Sequence, residues 1–109
     1  MAGIIVLHSG DWDISGSGFR DMVDGVSKYL PDDDLGLSVK NELSVAVESQ
    51  LYFIDLTKSF STDMINVFKS ALKKHVDEVE NEDPQTWENP SLYKGYLGRL
   101  DELCKRLPD

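Results

Sequence analysis

The chain is poor in the residues that carry most enzyme chemistry. It has one cysteine, Cys104, and only His8 and His75 as histidines. A single thiol excludes an intramolecular disulfide, and no Cys/His spacing suits a structural zinc site. Basic residues are also scarce: 11 Lys and Arg stand against 20 Asp and Glu, a formal charge of −9. Nucleic acids and anionic membranes are held by clustered Lys and Arg, so neither is an expected partner. Long apolar runs are missing as well. The one after Gly3 is Ile4, Ile5, Val6 and Leu7 before His8 interrupts it, too short to span a bilayer and with no basic segment ahead of it. With the lone thiol, this points to a reducing, cytoplasmic setting. There is no internal repeat and no low-complexity tract.

What is present is enough apolar material for a core. Hydrophobic residues make up 40% of 109 residues, which suits one domain over 1–109. Periodicity predicts a mostly α fold: about four helices in a bundle with a short N-terminal strand over Gly3 to Leu7. Ser17 is a candidate cap for a first helix with Phe19, Met22, Val23, Val26, Tyr29 and Leu30 on one face, stopped by Pro31 and the Asp32-Asp33-Asp34 run. Between Val39 and Leu56 a helical template catches Val39, Leu43, Ala46, Val47, Leu51 and Ile54. Val45, Tyr52 and Leu56 then form a second apolar face, as in a central helix. The alternative is a small α/β domain with strands near 3–7 and 51–56, where LYFIDL pairs with the first strand. Ser61 or Thr62 caps a helix with the stripe Met64, Ile65, Phe68, Ala71, Leu72, Val76 and Val79. Asn89-Pro90 starts the last helix, with Leu92, Tyr93, Tyr96, Leu97, Leu100, Leu103, Cys104 and Leu107 as its stripe.

Two acidic stretches contain the tryptophans. In HSGDWDISGSGFRD, Trp12 stands between Asp11 and Asp13; in DEVENEDPQTWENP, Trp87 follows Glu80, Glu82 and Asp83 and precedes Glu88. An aromatic ring with acidic neighbours can anchor a basic partner, although Trp12 can equally fold back over the core. Asp11, Asp13, Ser15 and Gly16 match the start of a calcium loop, but its closing bidentate Glu is replaced by Met22. The glycines Gly16 and Gly18 lack the Lys and Ser/Thr of a phosphate loop and serve a turn into a helix. His8, Ser9 and Asp11 could be imagined as a hydrolase set, yet no nucleophile elbow or oxyanion site accompanies them. His75 sits within an apolar stripe, as a core histidine would, and Cys104 reads as a small buried residue. Gly95 and Gly98, off the apolar stripe of the last helix, suggest close approach of another backbone, from the fold or from a partner, or else a local kink or a later helix start.

In size, charge and acidic, aromatic-bearing loops the chain resembles the small acidic immunity proteins that neutralise bacterial toxins. That resemblance implies a cytosolic inhibitor of a basic cognate toxin, often a nuclease, with acids standing where substrate phosphates go. The contacts expected are Asp11, Trp12, Asp13, Glu80, Glu82, Asp83 and Trp87, with no catalytic residue, metal or cofactor. Self-association is left open. A nucleic-acid mimic of phage type, aimed at a host DNA- or RNA-binding protein, is the alternative; a small hydrolase or calcium-binding module comes third.

Overall fold

A computed structural model describes residues 2–87 and 89–108. Its order is β1 (Ala2–Leu7), β2 (Gly10–Ser15), α1 (Gly16–Ser27), α2 (Asp34–Glu48), β3 (Phe53–Asp55), the short α3 (Leu56–Ser59), α4 (Thr62–Glu80), a 3₁₀ turn (Pro84–Thr86) and α5 (Pro90–Arg106). Helix dominates, as the periodicity predicts, and the N-terminal strand is present. The sheet is larger than the main expectation allowed. Its order is β2-β1-β3, with β2 antiparallel and β3 parallel to β1.

Two segments differ from the main sequence reading, the second in favour of its alternative, a strand near 51–56 paired with the first strand. The stretch after His8 is not an open loop: Gly10 turns the chain at φ 121° and β2 runs back along β1, pairing Ile5 with Trp12 and Gly3 with Ile14. The long helix proposed to Leu56 ends at Glu48. Gln50 and Tyr52 take positive φ values of 60° and 50°, which breaks the helix. The Tyr52 carbonyl then accepts from the Ile4 amide at 2.7 Å, starting the parallel ladder. An unpaired edge of β1 offers backbone partners that outweigh a marginal helical preference at 51–56. Val45 is consequently an exposed residue of α2 rather than part of a second buried face.

The central helix is α4, which packs against α1, α2 and α5. Its stripe Ile65, Phe68, Ala71, Leu72, Val76 and Val79 is buried throughout. Alternation along the strands sends Ile5, Leu7, Trp12, Ile14 and Ile54 into the core. Local capping chemistry fixes the helix starts. Ser15, two residues before the expected Ser17, caps α1 by accepting from the Gly18 amide at 3.1 Å. Asp33 caps α2, Ser61 caps α4 and Asn89 caps α5 ahead of Pro90. No helix among the described residues is long and apolar enough to cross a membrane.

Candidate binding groove between α1 and α5

The junction of β2 and α1 faces the first half of α5 across a groove of about 510 Å³. Asp13, Ile14, Ser15, Ser17 and Asp21 line one wall; Trp87, Leu92, Gly95, Tyr96 and Arg99 line the other. The two acidic stretches, far apart in sequence, thus contribute Asp13 and Trp87 to one concavity. Leu92 was expected in the buried stripe of the last helix. It is instead 60% exposed, because Tyr93 takes the inward position and donates from its hydroxyl to the Val79 carbonyl at 2.8 Å. Trp87 is half-buried, edge-on to Tyr93 with ring centroids 5.4 Å apart and tilted against Tyr96 at 5.8 Å. Its indole N–H donates to Glu82 at 2.8 Å, which sets the ring as one end of the groove.

The other tryptophan corrects the sequence reading. Trp12 is 1% exposed, so it is a core residue and not a surface anchor. The register that pairs it with Ile5 turns it inward, and its indole N–H is satisfied by the Arg99 carbonyl at 2.9 Å. Arg99 answers through its side chain. Its Nε donates to the Asp13 carbonyl at 2.9 Å, its guanidinium also meets the Asp13 carboxylate, and Glu102 pairs with it at 2.7 Å. Asp11 remains exposed, and its carbonyl accepts from Arg106 Nη1 at 2.9 Å.

The remaining expected contacts are dispersed. Asp83 caps the 3₁₀ turn by accepting from the Gln85 amide at 2.9 Å. Glu80 lines a separate depression with Lys69, Lys73, Asp77, Asp101 and Lys105. Glu88 lies outside the described residues. Asp21, which sequence reasoning passed over, belongs to the groove; partial desolvation and the neighbouring Asp24 hold its carboxyl above the usual range.

A polar relay lies behind Tyr96. Its hydroxyl is 2.8 Å from His75 Nε2, and His75 Nδ1 is 3.1 Å from Glu78 Oε1. Lys28 and the Tyr29 hydroxyl donate to Glu78 at 3.0 and 2.9 Å. These donors, Lys28 first, draw the Glu78 carboxyl down to about 2. Burial pushes the Tyr96 hydroxyl well above its ordinary value, the opposite of what an activated nucleophile needs. His75 is therefore a satisfied core histidine, as its place in the stripe predicts. At the negative end of α4, Glu78 is held by Lys28, the residue that follows α1. The overlooked signal was Gly25: a Cβ there would lie 2.1 Å from His75 Cε1, so this helix-interior glycine marks where the imidazole packs.

The other proposed sites do not assemble. Asp11, Asp13 and Ser15 lie along an extended strand, not a loop wrapped around an ion. No group of three or more His, Cys, Asp and Glu side chains among the described residues is placed to hold a metal. Ser9 Oγ accepts from Arg106 at 3.3 Å; no described hydrogen bond joins it to His8. Among the described residues nothing outside the helix's own backbone lies within 4 Å of a Cβ added at Gly95 or Gly98, so no other described backbone approaches them. Gly95 instead keeps the groove wall low. Burial raises the Cys104 thiol to about 11, which fits a packing role. Compared with known proteins, the chain matches no family model, no curated protein and no solved structure.

Proposed function

We propose that this chain is a binding domain of the immunity-protein kind, which neutralises a basic protein by seating part of it in the groove between α1 and α5. The observation that carries the reading is the convergence of exposed Leu92 and half-buried Trp87 with Asp13 and Asp21 in a concavity whose one lining cation among the described residues, Arg99, is already bound to Asp13 and Glu102. Aromatic and aliphatic area at the centre with charge at the rim is the arrangement that stable interfaces use. A formal charge of −9 would speed encounter with a cationic surface. Asp21 and Leu92 replace Trp12 among the proposed contacts; Asp13 and Trp87 stay.

The test is co-expression with the product of the adjacent gene. Growth arrest by that product should be relieved by this chain and not by its Asp21→Lys/Leu92→Asp variant, and the complex should weaken as salt rises. A neighbour without toxicity, or relief that survives the double substitution, would overturn the proposal.

A further inference from the structure

The fold builds one arginine seat for itself. The Arg99 guanidinium lies 5.7 Å from the centre of the Trp12 ring and meets the Asp13 carboxylate beside it. A cation placed between an aromatic face and a carboxylate is attracted by the ring and by the full charge together. The same two components recur in the groove. Asp21 lines one wall; Trp87 and Tyr96 line the other. Among the described residues no cation lies over either of these rings, and none is ion-paired with Asp21.

Each part is held in place by the fold. The Trp87 indole N–H is bound to Glu82 at 2.8 Å and the Tyr96 hydroxyl to His75 at 2.8 Å, so both rings are pinned at their polar ends. Tyr96 is brought near Asp21 by His75, whose imidazole packs on Gly25, one turn after Asp21 on α1. Asp21 is accordingly the carboxylate that weighs most on the Tyr96 hydroxyl, ahead of Glu82, Asp24 and Glu78. Desolvation and Asp24 hold the Asp21 carboxyl up by more than the neighbouring Arg20 draws it down. Arg99 does not relieve it, because Asp13 and Glu102 already share that guanidinium. Leu92, one turn before Tyr96 and 60% exposed, adds apolar surface along which a methylene stem can lie.

We infer that this part of the groove is a seat for one arginine side chain of the partner protein, with its guanidinium against Asp21 and over the rings of Trp87 and Tyr96, and its stem along Leu92. The source of that side chain rests on the inhibitory reading of the groove. Arginine fits better than lysine. Its planar cation is weakly hydrated, stacks on rings and offers a carboxylate two parallel donors, whereas an ammonium is a compact, strongly hydrated charge.

The probe is N-acetyl-arginine amide, compared with N-acetyl-lysine amide at equal ionic strength, each followed by NMR on the unaltered chain. The Trp87 indole resonance should move saturably with the arginine amide, with a Kd of about 1–20 mM. The Trp12 indole, 1% exposed, should stay in place. The Asp21 carboxyl should titrate at lower pH when the arginine amide is present, because a bound cation favours the carboxylate. The lysine amide should bind at least about fivefold more weakly. Asp21→Asn should weaken the arginine amide about tenfold, and Trp87→Leu about threefold. No saturation below about 100 mM, equal binding of the lysine amide, an unmoved Asp21 titration, or an Asp21→Asn variant that binds as tightly would each overturn the inference. Relief of growth arrest without binding of the amide would overturn the arginine seat alone. Binding of the amide beside a harmless neighbouring gene would support the seat and overturn only the inhibitory role.

Discussion

Replacing Gly25 with Ala perturbs the tightest helix–helix approach in the polar relay. An added Cβ meets three atoms of the His75 ring at 2.1, 2.3 and 2.4 Å, whereas an unstrained carbon contact is about 3.5–4.0 Å. The ring would have to retreat by roughly 1.5 Å to restore ordinary contact. It cannot do so freely, because Glu78 holds one nitrogen at 3.1 Å and Tyr96 the other at 2.8 Å. Overpacking of this kind costs about 1–3 kcal/mol, and losing one hydrogen bond to a buried polar group costs about 1–3 kcal/mol. The helix gains about 1 kcal/mol when Gly becomes Ala. The balance is a destabilisation of about 3 kcal/mol, seen as a lower urea midpoint and a fall in Tm of about 12 °C. Truncating the ring removes the clash, so Gly25→Ala should cost little in a His75→Ala background, with a coupling energy above about 1 kcal/mol. A Gly25→Ala variant as stable as the parent, or equal effects in the two backgrounds, would refute the packing of α1 on His75.

The same substitution at Gly95 or Gly98 should act with the opposite sign, raising stability by about 0.5–1 kcal/mol each in urea melts, because no described residue elsewhere in the fold lies within 4 Å of the new methyl. Acidification should erode stability as Glu78 protonates: its carboxyl is depressed in the folded state, so its contribution is complete above about pH 4.5 and disappears toward pH 2. With solvent screening the loss is about 1 kcal/mol, and Glu78→Gln should flatten that part of the stability–pH curve. Trp87→Phe should leave a single buried indole whose emission is blue-shifted and resists acrylamide, while Trp12→Ala should cost about 3–5 kcal/mol in denaturant titrations.

Much of the helical framework can be read from local chemistry. Ser61 and Asn89-Pro90 announce α4 and α5, and the stripe from Phe68 to Val79 gives the buried face of α4 without ambiguity. His75 is legible for the same reason: Ala71, Leu72 and Val79 flank it at helical spacing, while Glu78, also one turn away, is the carboxylate that binds it. β2 is not, because its outward residues Asp11, Asp13 and Ser15 carry turn and loop signals, and only Trp12 and Ile14 alternate inward. What makes it a strand is β1, which needs a partner. The two tryptophans are equally flanked by acids; the Ile5–Trp12 register, a tertiary fact, separates them. The groove is hidden for a similar reason. Its walls come from residues 13–21 and 87–99, and nothing in either segment announces the other.

Trp12 donates to the Arg99 carbonyl across 87 positions of sequence, and the Arg99 side chain lies over the indole and returns to the Asp13 carbonyl. The strand cannot close its outer edge until α5 has arrived, since the side chains that take its carbonyls belong to that helix. During synthesis the hairpin therefore waits, half-finished, for a distant segment, and contacts so far apart form slowly. A chain cut before Arg99 would expose a bare ribbon with an indole on one side. Its failure would be clumping rather than a quiet loss of one helix.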